Sequence, residues 1–278
     1  MTWWGERQIA LSDAIYYYEV SKVKKLIFEN PDLDINVVGC FAPLHAIVAN
    51  GNKELFEIFL SHPEVDVNIR NGNDHTPLMT IEMNTYLEMF LMLLKHPKID
   101  VYCKDSSGNS IFYDICISGC IEGLLWWVAL GFKIDFKSDE VKSAYDRMIE
   151  YERLRAVLER GKKSSRFYNY PKMRELLNLY RNDKDKAVFE SKYRVGNESV
   201  LSTVLFSLVV FLCDGFLKVK AEENSETARF FRIASKLPME IQMILCYRVF
   251  RSPKQGMCTT DVDMAVKFCV PEFFVERK

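Results

Sequence analysis

The chain is predicted to be all-α: a solenoid of stacked helix-turn-helix repeats with loop fingers, followed by a small helical C-terminal domain. Three observations predict it. The phrase Asn30-Pro31-Asp32-Leu33-Asp34-Ile35-Asn36 returns as His62-Pro63-Glu64-Val65-Asp66-Val67-Asn68 and as His96-Pro97-Lys98-Ile99-Asp100-Val101-Tyr102, the prolines standing 32 and 34 residues apart. Between these phrases Ala42-Pro43-Leu44-His45-Ala46, Thr76-Pro77-Leu78-Met79-Thr80 and Ser110-Ile111-Phe112-Tyr113-Asp114 step by 34 residues each time. After Gly196 the pattern breaks into an apolar run, Val200 to Cys213. A fixed period of this size marks units that bury their apolar faces only against their neighbours.

The units follow in order. The first, from about Glu6 to Asn36, shows Ala14-Ile15, Val23, Leu26 and Ile27 and the Asp34-Ile35-Asn36 exit, but has neither the Pro nor the Gly of the others. It reads as a terminal cap, where atypical sequence is expected. In the second, Pro43 suits a first helical turn, because its φ is preset and it has no donor to lose, and Gly51 supplies a positive φ between helices. Leu55, Ile58 and Phe59 then mark the apolar stripe of an outer helix. The third repeats that stripe with Leu87, Phe90, Leu91 and Leu94, and the fourth has Gly119 at its turn, then Leu124, Trp127 and Val128. Ser143-Ala144-Tyr145-Asp146, with Leu154, Val157 and Leu158, reads as a degraded fifth unit closing the stack.

These residues resemble the ankyrin repeat, whose unit opens with Thr-Pro-Leu-His, turns at a Gly, runs a second helix and leaves through a Gly-Ala-Asp-Val-Asn type loop. Thr85 and Met79 depart from that pattern where Gly and His are usual, which costs the third unit about 1 kcal/mol for each lost device. The resemblance implies protein binding through loops and concave inner helices. The family's variable positions map to Phe41, Gly72, Asn73, His75, Ser106, Ser107 and Asn109 on loops, and to Ala49, Asn50, Met83, Asn84, Ile117 and Ser118 on inner helices. Phe41 is the leading hot-spot candidate, since an aromatic at an exposed slot suggests an apolar contact; its alternative role is packing under the first loop.

Composition sets further bounds. At 278 residues with 49% hydrophobic content the chain has room for one or two folded domains. Met1-Thr2-Trp3-Trp4-Gly5-Glu6-Arg7 has no basic stretch leading into an apolar core, so no secretory signal is expected, and the protein is placed in the cytoplasm, with the nucleus as the other choice. Eight scattered cysteines without a Cys-x-x-Cys pair read as reduced, half-buried hydrophobes. Cys116 and Cys120 lack the partners a zinc site needs, so neither metal nor cofactor is expected.

The net charge is −1, unevenly placed: residues 137 to 194 hold 16 Lys/Arg against 10 Asp/Glu. The domains are therefore set at 5–160 for the repeats, 161–195 for a basic helical linker and 196–278 for the C-terminal part. Lys162, Lys163 and Arg166 lie among aromatics as a nucleic-acid surface would have them, but no groove-reading motif accompanies them, and a solvated linker is favoured over nucleic-acid binding. The apolar run ending at Cys213 covers 14 residues. A membrane helix needs about 20, so a core helix is favoured over membrane association.

From Pro238, well suited to open a helix, Ile241, Ile244, Leu245 and Val249 share a face, with Glu240 in the first turn. Leu237-Pro238-x-Glu240-Ile241-x-x-Ile244-Leu245 looks like the opening of an F-box and is similar to the truncated F-box-like tail of poxvirus ankyrin proteins. The arrangement also looks like ankyrin proteins of amoeba-infecting giant DNA viruses and some protists. That resemblance implies docking of a Skp1-type adaptor through Leu237, Pro238, Ile241, Ile244 and Leu245, and a role in host interaction, in the host cytoplasm, if the protein is viral. The plainer reading makes those residues internal core of a helical domain, and the interruption from Arg251 to Gly256 favours it.

An enzyme is not expected. His45, His62, His75 and His96 all lie in the repeats, three of them in recurring structural slots, so the usual base for a nucleophile is missing from the last third. The run from Gly161 to Ser164 is no phosphate loop, because Ala156 stands where its first Gly belongs. The reading is a non-enzymatic scaffold; its alternative is a substrate adaptor for a Skp1-cullin ubiquitin ligase.

Overall fold

The computed structural model describes residues 5–37, 42–158, 169–213, 230, 232–249 and 265, and every regular element among them is a helix. The chain divides into two compact units, Met1–Leu124 with Lys133–Glu175, and Leu125–Phe132 with Leu176–Lys278.

The first unit begins with helix pairs, α1 (Glu6–Tyr16) and α2 (Val20–Glu29), α3 (Pro43–Asn50) and α4 (Lys53–Ser61), α5 (Pro77–Thr80) and α6 (Leu87–Leu94); α7 (Ile111–Ser118) follows, and α8 (Ile121–Ala129) supplies residues to both units. Pro43 and Pro77 open their helices as the sequence expects, and Gly51 (φ 68°) and Gly119 (φ 70°) end α3 and α7 in the left-handed region. The Asn52 side chain caps α4 by accepting from Leu55 N at 3.0 Å. Inner helices pack in the row α1, α3, α5, α7, and α2 packs on α4. Leu11, Ile15, Ile47, Leu55, Phe56, Phe59, Phe90, Leu93 and Leu94 are fully buried between them. Each such side chain contributes roughly 1.5–3 kcal/mol of transfer free energy, so the stack is held by its stripes.

Two expectations are corrected. The third inner helix is one turn long, because Thr85, in the slot of Gly51 and Gly119, does not take a positive φ and the chain leaves the helix early at Ile81. Tyr86, just beyond, lays its ring over Gly51, where a Cβ would overlap it. The expected fifth repeat is instead a single continuous helix, α9 (Asp139–Leu158), packed on α7 through buried Val141, Ala144 and Met148. With no Gly to break it after Ser143-Ala144, the helix runs on.

A ladder of side chains pins the repeated exits. Asp34, Asp66 and Asp100 each accept from the N–H two residues on, at 2.8–2.9 Å. Asn36 reaches the next repeat, donating to Glu64 O at 2.6 Å and accepting from Asp66 N at 2.8 Å; Asn68 does the same with Lys98 O and Asp100 N, both at 2.8 Å. At Tyr102 the hydroxyl takes over, accepting from Lys133 N at 2.8 Å.

The second unit holds α11 (Lys184–Arg194), α12 (Glu198–Cys213) and α13 (Met239–Val249); α10 (Tyr170–Asn182) supplies residues to both units. The expected solvated linker has buried residues: Tyr170, Met173, Leu176, Leu177, Tyr180, Ala187 and Phe189. The apolar run is the core helix α12. Val200, Val204 and Leu208 pack with Phe189 and Ala265, and Val209 packs with Ala234 and Cys246. No helix among the described residues is long and apolar enough to cross a membrane.

Candidate partner-binding face

Two loop fingers project from the repeats, built alike. In the third repeat Asn71 Oδ1 accepts from Asn73 N at 2.9 Å and His75 N at 3.1 Å, while Asn71 N donates to His75 O at 3.0 Å. In the fourth, Asp105 Oδ1 accepts from Ser107 N and Asn109 N, both at 2.9 Å, and Asp105 N donates to Asn109 O at 2.9 Å. The left-handed residue is Asp74 (φ 59°) in one and Gly108 (φ 80°) in the other. An acceptor at the base of each finger thus fixes its backbone, which leaves Gly72, Asn73, Ser106 and Ser107 exposed at the tips.

The other expected site residues divide. His75 and Asn109 are half-buried; the His75 carbonyl accepts from His45 Nε2 at 2.9 Å, and its own Nε2 lies 3.8 Å from Asp105 Oδ2. Ala49 and Asn50 are exposed at the end of α3. Asn84 is exposed and donates to Ser118 O at 3.3 Å. Met83 is buried, contrary to expectation, because the shortened α5 turns it inward. Ile117 and Ser118 are half-buried, and their end of α7 is closed by this chain: Tyr170 OH donates to Ile117 O at 2.5 Å and Asn169 Nδ2 to Gly119 O at 3.4 Å. Phe41, Lys162, Lys163 and Arg166 lie outside the described residues.

Behind the fourth finger sits a charged cluster. Glu140 accepts from the N–H and hydroxyl of Ser110 and lies 3.3 Å from Lys104 Nζ. Burial, with Asp105 and Glu140 nearby, pushes the Asp114 carboxyl up to about 7. The histidines act as hydrogen-bonding groups: His62 Nδ1 and His96 Nδ1 each accept from the amide two residues on at 3.2 Å, and burial lowers the His45 pKa. Cys103, Cys116, Cys120, Cys213 and Cys246 are free, and burial pushes Cys120 up to about 11 and Cys246 up to about 12. Among the described residues no group of three or more His, Cys, Asp or Glu could hold a metal ion.

On α13, Pro238 opens the helix by accepting from Ile241 N at 2.9 Å and Gln242 N at 3.0 Å. Ile241 and Ile244 are 43% and 41% exposed, Pro238 is exposed, and Leu237 and Leu245 are half-buried. Gln242 is buried and donates to Leu237 O at 2.8 Å.

Sequence reasoning missed an exposed aromatic group, Tyr16, Tyr17 and Tyr18, at the turn of the first repeat. The available signal was three tyrosines running into the slot that Gly51 and Gly119 fill. Reading the first repeat only as a cap passed over it.

No curated protein matches the chain. Residues 11–124 match the family model described as ankyrin repeats (3 copies), and the all-α stack built on them is an ankyrin solenoid.

Proposed function

We propose that the chain is a non-enzymatic scaffold that binds a protein partner through Gly72, Asn73, Ser106 and Ser107 on its fingers, Asn50 at the end of α3 and Asn84 in the turn after α5. His75, Asn109 and Ser118 border that surface. The observation that carries the reading is the pairing of exposed tips with a backbone pinned at Asn71 and Asp105. A preorganised loop loses little entropy on binding, so its contacts convert to affinity. Ankyrin repeats are a protein-interaction module, and an extended surface of this kind needs no pocket. We place the binding in the cytoplasm or nucleus, where free thiols such as Cys116 persist. The test is a photo-crosslinking residue at Asn73, Ser107, Asn50 or, as a control, Glu57 on α4. Capture of one protein at the first three and not at Glu57 supports the reading; equal capture at Glu57 removes it.

A second reading rests on the exposure of Ile241 and Ile244: α13 docks a Skp1-type adaptor and the repeats present a substrate. Purified adaptor should then bind the full chain and lose Ile241→Glu. Equal binding to both, or none to either, rejects it.

A further inference from the structure

On α1 the buried face is Leu11, Ala14 and Ile15. Ile9, Asp13, Tyr16 and Tyr17 recur at helical spacing on the opposite side, and all four are exposed. The Tyr16 and Tyr17 ring centroids are 5.1 Å apart with their planes at 90°, so two aromatic faces form a corner. The rings are 68% and 67% exposed, open to a partner. Tyr17 N donates to Asp13 O at 2.9 Å, which sets Asp13 one turn below the corner.

The charges nearby say what fits. Each base of the first repeat already faces a carboxylate: Arg7 with Asp32 at 3.5 Å, Lys22 with Glu19 at 2.8 Å, Lys24 with Glu54 at 3.0 Å and Lys25 with Glu29 at 3.9 Å. Asp13 enters no direct ion pair among the described residues; Lys22 feels its field but is bonded to Glu19, so the stripe presents a negative charge beside two π-faces. Counting back from the turn, the α3 residues in the slots of Asp13 and Tyr16 are Ala46 and Ala49, so the aromatic and acidic side chains are particular to the first repeat.

We propose that Tyr16, Tyr17 and Asp13 receive an arginine side chain of the protein partner. A guanidinium is flat, stacks on an aromatic face and can still donate to a carboxylate, which an ammonium does less well. Ile9, 39% exposed one turn before Asp13, suits the methylene stem. Nucleic acid does not fit, because Asp13 would face phosphate. Tyr18 sits in the left-handed region at φ 58° and is half exposed, so its strain is not repaid by burial; strain at a surface aromatic marks a place to look for binding.

The inference rests on the reading that the repeats bind a protein, and it is tested separately. The full-length protein, with ¹³C in its tyrosine rings, is titrated with a capped five-residue glycine peptide carrying one central arginine, and with its lysine and citrulline counterparts. Arginine should move the Tyr16 and Tyr17 signals, lysine should bind about threefold more weakly, and neutral citrulline should leave them in place. Asp13→Asn should weaken arginine binding about fivefold and Tyr17→Leu should abolish it. Both substitutions are at exposed positions, and an unchanged melting temperature shows that the fold persists; Tyr16→Leu serves as a second variant. No shift with arginine, equal shifts with citrulline, or an Asp13→Asn protein that binds as the parent does overturns the proposal. If that happens while crosslinks at Asn73 and Asn50 stand, only the arginine site falls; if the crosslinks also fail, the reading beneath it falls too.

Discussion

Tyr18 occupies the slot that glycine fills in the second and fourth repeats, with φ 58° against 68° at Gly51 and 70° at Gly119. An L-residue in that region costs roughly 1–2 kcal/mol, and a half-exposed ring returns little of it. Tyr18→Gly should therefore stabilise the protein by ~1 kcal/mol and raise the melting temperature by about 2–4 °C, as a thermal scan would read. A fall in melting temperature would mean that the ring contributes packing instead. Thr85 illustrates the opposite solution: the residue does not adopt the strained φ, and the helix before it shortens instead. The same slot is met in three ways, by glycine, by strain and by a lost helical turn.

At the scale of elements, what repeats in the sequence is what could be read from it. Pro43 and Pro77 gave two helix starts, Gly51 and Gly119 two turns, and the Asp-x-Asn phrases the ladder that ties each exit to the next. The departures were legible only as departures. Nothing local to Thr85 says that Met83 will turn inward, because that follows from where the chain goes after leaving α5. Nor does the composition of 139–158 distinguish one long helix from a degraded pair, since a missing turn residue is an absence, and the packing of Val141, Ala144 and Met148 decides it. The finger tips named from the family's variable positions are exposed, whereas the fourth repeat's inner end is closed by Tyr170 and Asn169, which reach it from about 50 residues away and so leave no local signal. The ladder makes its own prediction. Asn68→Ala removes a bond to Lys98 O and one from Asp100 N, and should cost ~1–2 kcal/mol, read as a lower urea midpoint with an unchanged slope.

For the whole molecule, stability against pH is set by groups that pull in opposite directions. Burial, then Asp105 and Glu140, holds a proton on Asp114 up to about pH 7 where the ordinary value is 3.8, so the folded state binds more protons between those limits. That contribution is full in acid and is lost as pH rises through about 7. His45 acts the other way: burial lowers its pKa below 6.5, the folded state takes up fewer protons, and stability is lost as pH falls through the ordinary histidine range. Asp114→Asn removes the first slope. The variant should be more stable than the parent at about pH 8 by ~1–3 kcal/mol and should retain the acid-side decline, as chemical unfolding across the pH range would show. The Tyr86 ring over Gly51 acts between repeats rather than within one. The turn amides beneath it, Gly51 bonded to Val48 O and Asn52 to Ile47 O, are latched by the neighbouring repeat. Their exchange with solvent deuterium becomes a clock for how often the second repeat parts from the third, a motion that leaves every helix intact.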